Sequence, residues 1–212
     1  RTPKAGILDR LHSMAIDIAE HELFTPVQAA RAWLTQHKRS PHLLIHPDLD
    51  EDFQGLATYD AKAVVVGDAG AGFTFNAMNT AFRELMNGAD FLALASNRTF
   101  KDHDGELSLD AGAFVAALEV ATRRTARVMG KPSPAFFSAA LASMNCAASE
   151  AVMVGDDAEM DVSGALSAGL GQGVLVRTGK YLAGAETSVD PEPTAVVDDL
   201  PAAVQWIIDR CR

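Results

Sequence analysis

The sequence predicts an α/β fold built around a parallel sheet, and three observations support this. Short apolar runs alternate along the chain with longer segments whose apolar residues recur at helical spacing. The runs 63–67 and 151–154 are apolar at almost every position, as strands buried on both faces of a parallel sheet are. The chain has 212 residues, of which 48% are hydrophobic and 22% charged, which suits one large or two small globular domains.

The first half of the chain predicts helices that alternate with short strands. Residues 5–19 have apolar side chains at helical spacing, and Thr25 and Pro26 form a cap and a first-turn proline for a helix over 27–37. Residues 96–105 are polar and predict a loop or a hairpin tip. The other predicted strands and helices of this half are strands 42–46, 63–67 and 91–94 and helices 73–87 and 111–122.

The second half repeats the alternation of strand and helix. Ser133 and Pro134 predict a capped helix, for the same reason as Thr25 and Pro26. Residues 183–193 form a predicted loop. The predicted strands and helices of this half are strands 127–130, 151–154, 173–176 and 195–197 and helices 133–144, 161–168 and 200–208.

Charge and cysteine content exclude several classes of protein. The formal net charge is −10 and the pI about 4.9, so we expect no nucleic-acid partner, because non-specific binding needs a basic face. Cys146 and Cys211 have no metal-ligand spacing, and no apolar run approaches the roughly 20 residues that span a bilayer. We therefore expect a cytoplasmic protein that does not enter a membrane.

The strongest functional signal is a group of three aspartates after an apolar strand. Asp156 and Asp157 directly follow the predicted strand and a glycine, and Asp161 lies on the same helix face as Asp157. Ligands bind beyond the carboxyl ends of strands in open α/β sheets. One aspartate here is explained by a favourable place at a helix N-terminus. Three carboxylates this close repel each other, so a metal site is the stronger interpretation.

A second signal is Lys131, which lies between Gly130 and Pro132 at the end of a predicted strand. A lysine after a strand is usually a solvated surface residue. Here Pro132 and Pro134 fix the direction in which the chain leaves the strand, which suits a lysine that points into a site. Lys131 precedes Asp156 by one helix and one strand, so both follow strands of the predicted sheet.

These motifs together resemble the third and fourth sequence motifs of haloacid-dehalogenase-type phosphatases. The matching residues are Gly-Lys-Pro at 130–132, Gly-Asp-Asp at 155–157 with Asp161 after it, and Thr-Gly-Lys at 178–180. The resemblance covers the whole chain and is to the subgroup with the larger α/β cap. It implies a Rossmann-like parallel-sheet core and an inserted α/β cap. The core would consist of 1–21 and 126–212, and the cap of 22–125.

The resemblance implies a Mg²⁺-dependent mechanism and roles for four residues. In such enzymes an aspartate attacks phosphorus and forms an aspartyl-phosphate, which water then hydrolyses. Lys131 matches the catalytic lysine that binds the phosphate and stabilises the transferring group. Asp156 matches the metal-binding carboxylate, and Asp157 a supporting metal ligand. Asp161 matches the aspartate that serves catalysis by orienting Lys131 or a metal-bound water.

The attacking aspartate of the family has no counterpart in this sequence. The family's first motif, Asp-x-Asp on the first strand, is absent, and Asp48 and Asp50 lie inside the predicted cap. The resemblance implies that the nucleophile lies in a segment ahead of Arg1. We therefore expect the 212-residue chain on its own to be inactive and its sheet to lack a central strand.

The sequence leaves three functions open. The first is a Mg²⁺-dependent phosphatase of small phosphorylated molecules, and the resemblance implies phosphoamino acid or pyrophosphate-like substrates. The second is a phosphatase of nucleotide or sugar phosphates, because related caps serve those substrates. The third is a non-catalytic binding protein, because the attacking group is missing. The resemblance also implies a homodimer, because relatives pair through their caps.

Overall fold

The computed structural model describes residues 2–102 and 104–210 and has an α/β fold with parallel sheets, which confirms the predicted class. Cys211 lies outside the described residues. Within those residues no helix is long and apolar enough to cross a membrane. The chain forms two compact units, Arg1–Gly130 and Lys131–Arg212, and each contains its own parallel sheet.

The first unit is built on a four-stranded parallel sheet in the order β1-β2-β3-β6, with a separate antiparallel hairpin of β4 and β5. Val64 and Val65 of the central strand β2 are fully buried, as expected of a strand inside a parallel sheet. The strands of this unit are β1 (Ser40–Leu44), β2 (Lys62–Val66), β3 (Asp90–Ala93), β4 (Thr99–Lys101), β5 (Leu107–Leu109) and β6 (Arg127–Val128).

Four helices belong to this unit, and three of them, α2, α3 and α4, bury apolar residues in its core. Leu85 of the third helix packs with Val66, Phe91 and Val115 in one buried cluster. Phe75, which the helical spacing assigns to the same face as Leu85, is 81% exposed instead, because it lies in the first turn of its helix. The helices are α1 (Lys4–Ser13), α2 (Pro26–His37), α3 (Phe75–Met86) and α4 (Ala111–Thr122).

Helix α2 begins where the sequence predicts, and the cap explains why. The hydroxyl Oγ1 of Thr25 accepts a hydrogen bond of 3.2 Å from the backbone N–H of Val27. The side chain of Gln28 accepts one of 3.0 Å from the backbone N–H of Thr25. This capping box satisfies backbone donors that a helix start leaves free, and Pro26 occupies the first helical position without losing a hydrogen bond.

Helix α1 is shorter than the predicted segment 5–19, because it ends at Ser13. The chain turns at Met14, and Ala15 adopts a left-handed backbone with φ of +59°. No residue of α1 is buried. Helical spacing alone, without a packed apolar face, contributes too little to extend a short helix.

The sequence predicts a loop or a hairpin tip for the polar segment 96–105, and the structure shows a hairpin. Strands β4 and β5 pair in antiparallel fashion, with Thr99 opposite Leu109. Helix α4 starts directly after this hairpin, and Oδ1 of Asp110 accepts a hydrogen bond of 2.6 Å from the N–H of Ala111. The carboxylate therefore caps the helix that follows the hairpin.

Strand β6 shows how the compact units differ from the predicted domains. It pairs in parallel with β3 and so completes the sheet of the first unit. The N–H of Met129 extends this pairing with a hydrogen bond of 2.7 Å to the carbonyl of Ala93. The structure divides the chain after Gly130. The core of 1–21 with 126–212 and the cap of 22–125 remain a prediction.

The second unit is built on a three-stranded parallel sheet with β8 at its centre. The predicted helix 161–168 starts earlier than expected, as a π-helical segment over Ala158–Ser163. Helix α5 begins at the predicted Pro134, but the Ser133 side chain makes no capping hydrogen bond, so that part of the prediction is wrong. The other elements are β7 (Val152–Gly155), β8 (Gln172–Val176), β9 (Ala195–Val197), α5 (Pro134–Met144), α6 (Gly164–Ser167) and α7 (Leu200–Arg210).

Alternate residues of β8 point to opposite faces of this sheet and anchor two separate cores. Leu175 packs with Ala158 and Val162 of the π-helical segment. Val174 and Val176 point the other way and pack with residues of α7. The sheet is therefore covered on both faces, and its strand ends are the places where polar side chains can gather.

Candidate active site

The carboxyl ends of β7 and β8 bring two segments of the predicted site together. The strands pair in parallel, with Gly155 opposite Leu175, so the residues that follow them leave the sheet at the same edge. Asp156 follows β7, and Lys180 lies in the loop after β8. The backbone N–H of Lys180 donates a hydrogen bond of 2.9 Å to Oδ2 of Asp156. One carboxylate oxygen of Asp156 is thereby fixed.

Gly179 makes this contact possible. Its φ is +57°, a left-handed backbone that L-residues with a side chain rarely adopt. A Cβ atom at this position would also overlap the carboxylate of Asp156. The turn is closed by a hydrogen bond of 3.0 Å from the N–H of Tyr181 to the carbonyl of Thr178. The Thr-Gly-Lys sequence thus brings a backbone donor onto a metal-ligand candidate.

Asp157 caps the π-helical segment, as the simpler interpretation of an aspartate at this place predicts. Its Oδ1 accepts a hydrogen bond of 2.9 Å from the N–H of Met160. Its own backbone N–H donates one of 3.3 Å to Oδ2 of Asp161. The Nζ atom of Lys180 lies 4.0 Å from Oδ2 of Asp157. No hydrogen bond from the described residues reaches that oxygen, so it is left for a ligand.

Asp161 and Lys131 form an ion pair beneath these carboxylates. Nζ of Lys131 lies 2.5 Å from Oδ1 of Asp161, whose side chain is only 6% exposed. A carboxylate removed from water needs a charge partner and hydrogen-bond donors, and Lys131 and the N–H of Asp157 provide them. A Cβ atom on Gly155 would overlap the Asp161 side chain, so the glycine makes room for the pair.

The backbone that carries Lys131 is packed directly against the helix after Asp161. A Cβ atom on Gly164 would lie 2.6 Å from the Cβ of Pro132, so no larger residue fits at that helix position without movement. The Lys131 side chain remains 43% exposed, although its ammonium group is paired. Pro132 thus holds the lysine in place while its charge stays accessible to a ligand.

An open cleft of about 690 Å³ lies at this edge of the second unit. Lys131 and Asp161 do not line it, but Pro132 does, and Asp157 joins the cleft to the ion pair through its hydrogen bond to Asp161. The lining includes the metal-ligand candidates, a serine and the loop after β8, namely Asp156, Asp157, Ser163, Lys180, Tyr181 and Asp190.

Asp156 and Asp157 have the donor chemistry that Mg²⁺ prefers. Among the described residues, no hydrogen bond or ion pair reaches Oδ1 of Asp156, and Oδ2 of Asp157 accepts no hydrogen bond and has the Lys180 ammonium group 4.0 Å away. Over 2–102 and 104–210, no three histidine, cysteine, aspartate or glutamate side chains are grouped to hold a metal ion. Mg²⁺ keeps several waters and usually takes only one or two protein carboxylates with substrate oxygens, so the pair fits Mg²⁺ and does not fit a closed structural site.

The loop after β8 contributes contacts that the sequence did not predict. The hydroxyl of Tyr181 donates a hydrogen bond of 3.0 Å to Oε2 of Glu186. Nη1 of Arg177 donates one of 2.8 Å to Oδ1 of Asp198. The Thr-Gly-Lys motif predicts that this loop belongs to the site. It does not predict the partners of Arg177 and Tyr181, because Asp198 lies after β9 and Glu186 lies further along the loop.

Two of these groups have shifted pKa values. Hydrogen bonds to Asp198 and then to Tyr181 raise the pKa of the Arg177 guanidinium. A hydrogen bond from its own backbone N–H and then one from the Tyr181 hydroxyl lower the pKa of the Glu186 carboxyl below its ordinary value. Both groups are therefore charged at neutral pH.

Curated proteins similar to this chain cover nearly all of it. Residues 128–203 match the family model described as HAD-hydrolase-like. The chain is 43% identical over 207 residues to haloacid dehalogenase-like hydrolase domain-containing protein 2 of Rattus norvegicus, across 98% of this chain and 79% of that protein. It is 41% identical over 203 residues to the phospholysine phosphohistidine inorganic pyrophosphate phosphatase of Danio rerio, across 95% of this chain and 74% of that protein.

Solved structures show the same fold. A p-nitrophenyl phosphatase from Archaeoglobus fulgidus matches with a TM-score of 0.87 and 26% identity, across 97% of this chain and 82% of that one. A glycerol phosphate phosphatase from Mycobacterium tuberculosis, solved in complex with magnesium, matches with a TM-score of 0.81 and 27% identity, across 95% of this chain and 63% of that one. Both similarities extend over the two compact units.

Proposed function

Because the chain belongs to the haloacid dehalogenase-like hydrolases and is a hydrolase of the phosphatase type, we propose that it removes phosphate from small phosphorylated molecules with the help of Mg²⁺. The observation that carries this proposal is the arrangement at the carboxyl ends of β7 and β8. There the ion pair of Lys131 with Asp161 adjoins Asp156 and Asp157, each of which has a carboxylate oxygen that accepts no hydrogen bond from the described residues.

Each of these residues has a distinct task in the proposed reaction. Asp156 and Asp157 would hold Mg²⁺, which when bound would supply positive charge to offset that of the phosphate. The ammonium group of Lys131 binds the phosphate and stabilises charge on the transferring group, where a fixed cation is worth more than in water. Asp161 orients that ammonium group, because its Oδ1 lies 2.5 Å from Nζ.

The attacking carboxylate, we propose, comes from outside these 212 residues. Within the described residues, the three aspartates of the site serve other purposes: Asp156 accepts from Lys180, Asp157 caps a helix and Asp161 pairs with Lys131. In the proposed reaction a carboxylate oxygen bonds to phosphorus while the bond to the leaving oxygen or nitrogen breaks and that atom takes a proton. Water then cleaves the acyl phosphate, which releases phosphate and restores the carboxylate.

Phosphoamino acids and pyrophosphate-like molecules are the proposed substrates. The support is the 41% identity to the zebrafish protein, whose name states phospholysine, phosphohistidine and inorganic pyrophosphate. A panel of these compounds, with sugar and nucleotide phosphates as the competing class, separates the two groups of substrates by kcat/KM. A uniformly higher kcat/KM for sugar or nucleotide phosphates would contradict the proposed class.

The decisive experiment compares two proteins in p-nitrophenyl phosphate hydrolysis with Mg²⁺. One is the 212-residue chain, and the other is the same chain extended at its N-terminus by a strand that carries Asp-x-Asp. We expect turnover only in the extended protein, and in it Lys131→Ala should lower kcat/KM by about 100-fold or more. The control, Lys38→Ala, removes an exposed lysine of the first unit and should change kcat/KM less than about twofold.

Three results would contradict the proposal. Turnover by the 212-residue chain that disappears in Asp156→Asn would place the attacking group within those 212 residues. Full activity of the Lys131→Ala variant would show that Lys131 is a solvated surface residue without a role in catalysis. Absence of turnover in the extended protein, with every substrate of the panel, would favour the non-catalytic alternative.

A further inference from the structure

The turn that brings the Lys180 amide to Asp156 is exposed and has little to hold it in place. Thr178, Gly179 and Lys180 are all exposed, and the Lys180 side chain is 74% exposed. Its Nζ atom lies 4.0 Å from Asp157, too far for a hydrogen bond. The hydrogen bond to Asp156 therefore depends on residues that follow the turn in the chain.

Tyr181 is the first residue after the turn that packs into the unit. Its ring lies against the buried cluster of Ala158, Val162 and Leu175. Ala158 and Val162 belong to the π-helical segment that Asp157 caps. The tyrosine thus joins the loop after β8 to the element that begins with a metal-ligand candidate.

The Tyr181 hydroxyl is fixed from the far side of the loop. It donates a hydrogen bond to the Glu186 carboxylate. This hydrogen bond is one of the causes that lower the pKa of the Glu186 carboxyl. The Arg177 guanidinium pairs with Asp198 after β9. Two hydrogen bonds therefore hold this loop, one from Arg177 to Asp198 and one from Tyr181 to Glu186.

We propose that Tyr181 and Glu186 are positioning residues that hold the Lys180 amide on Oδ2 of Asp156 and so leave Oδ1 as the metal-binding oxygen. The role of the metal in this proposal rests on the proposed function. The effect of Tyr181 and Glu186 on the hydrogen bond from Lys180 to Asp156 does not. A carboxylate that is already held through one oxygen loses less conformational entropy when its other oxygen binds an ion. The contact between Tyr181 and Glu186 thereby favours Mg²⁺ binding without touching the ion.

The test uses two readouts in the 212-residue protein, neither of which is activity. The first is hydrogen exchange of the Lys180 amide by NMR, and the second is calorimetric titration with MgCl₂ alone. Tyr181→Phe keeps the ring and removes the hydroxyl. We expect Lys180 amide exchange to accelerate and Mg²⁺ affinity to fall, each by about three- to tenfold, as the loss of one hydrogen bond predicts.

Glu186 provides an internal rescue. Glu186→Ala removes the acceptor and should reproduce the effect of Tyr181→Phe. Glu186→Gln keeps an acceptor oxygen for the hydroxyl and should restore most of the Lys180 protection. The matched control is Tyr59→Phe, which removes the hydroxyl of the other tyrosine, in the first unit, and should leave both readouts unchanged.

Three outcomes have distinct meanings. If Tyr181→Phe changes Lys180 exchange by less than twofold, the positioning role is wrong, even where the melting temperature falls. If exchange accelerates but Mg²⁺ affinity stays constant, the link from the loop to the metal is wrong. If the unaltered protein binds no Mg²⁺ while exchange responds as expected, the metal assignment of the proposed function fails and the positioning of Asp156 stands.

Discussion

Gly179 and Gly184 both adopt a left-handed backbone in the same loop, with φ of +57° and +85°, but only Gly179 touches the site. A Cβ atom on Gly184 would meet nothing within 4 Å, whereas one on Gly179 would overlap Asp156. We therefore expect Gly179→Ala and Gly184→Ala each to lose about 1–2 kcal/mol of stability from the strained backbone. Only Gly179→Ala should also weaken Mg²⁺ binding, measured by calorimetry. An equal loss of affinity in both variants would contradict this account of the turn.

The carboxyl of Glu186 gives a pH-dependent prediction. Its pKa is lowered below the ordinary 4.5, first by its own backbone N–H and then by the Tyr181 hydroxyl. A lowered folded-state pKa stabilises the fold above the unfolded-state pKa, and this contribution is lost as the pH falls through the folded-state value. Tyr181→Phe should raise the Glu186 pKa only partly, because the larger cause remains.

A ¹³C NMR titration of the glutamate carboxyls measures this shift directly. Glu84 is the matched control, because its pKa is lowered chiefly by a hydrogen bond from Lys62 in the first unit. Its titration should be the same in Tyr181→Phe as in the unaltered protein. A Glu186 carboxyl that titrates at its ordinary pKa in the unaltered protein would disprove the contact with the tyrosine.

The residues of the site were predictable to different degrees. Asp156 and Asp157 follow β7, and the carboxyl-end rule applied to the sequence places them at the edge of its sheet. The same rule does not place Lys131 there, because β6 joins the other sheet. The resemblance gave the pairing with Lys131 as one of two roles for Asp161, and the structure shows that pair. The use of the Lys180 amide was not predictable, because it depends on the parallel register of β7 and β8 and on a turn conformation.

Two helices with the same Thr/Ser-Pro start offer a test of capping. The Thr25 hydroxyl accepts a hydrogen bond from the N–H of Val27, but the Ser133 side chain makes no capping bond to its helix. Thr25→Ala should therefore cost about 1 kcal/mol of unfolding free energy, and Ser133→Ala close to none. Urea denaturation of both variants measures the difference. Equal losses would mean that the proline alone defines these helix starts.

The elements themselves were largely predictable, and the exceptions have physical causes. Strands such as β2 and β8 match their predicted ranges closely, because a buried parallel strand has a continuous apolar sequence. The π-helical start at Ala158 was not predictable, because π-helical turns are rare. Residues 14–19 have a helical pattern, but Ala15 adopts a left-handed backbone, so α1 ends before them.

The two compact units each have a hydrophobic core of their own. A large cluster of buried residues lies in the first unit, and two smaller clusters lie on opposite faces of β8 in the second. We expect native-state hydrogen exchange to show two groups of amides with different opening free energies, divided between Gly130 and Lys131. Amides of β2 and β8 report on the two cores. A single common opening free energy for both strands would show that the chain unfolds as one body.

The sheet that β6 joins could not be predicted from the local sequence pattern. The sequence identifies a strand near Arg127, but an apolar run does not state which sheet it will join. Its parallel pairing with β3 places Arg127 and Val128 in the first unit, although the family resemblance assigns this segment to the core. Long-range pairing of this kind is decided by the competition between sheets.

The ion pair of Lys131 and Asp161 also has an evolutionary consequence. The two residues lie 30 positions apart in the chain, and the almost buried carboxylate is tolerated only because the lysine compensates its charge. A lineage that replaced the lysine with a neutral residue would gain by replacing the aspartate as well. Gly155 would stay glycine in such a lineage, because a Cβ atom there would overlap the Cβ of any side chain at position 161. Lys131 and Asp161 should therefore be inherited as a pair and change together.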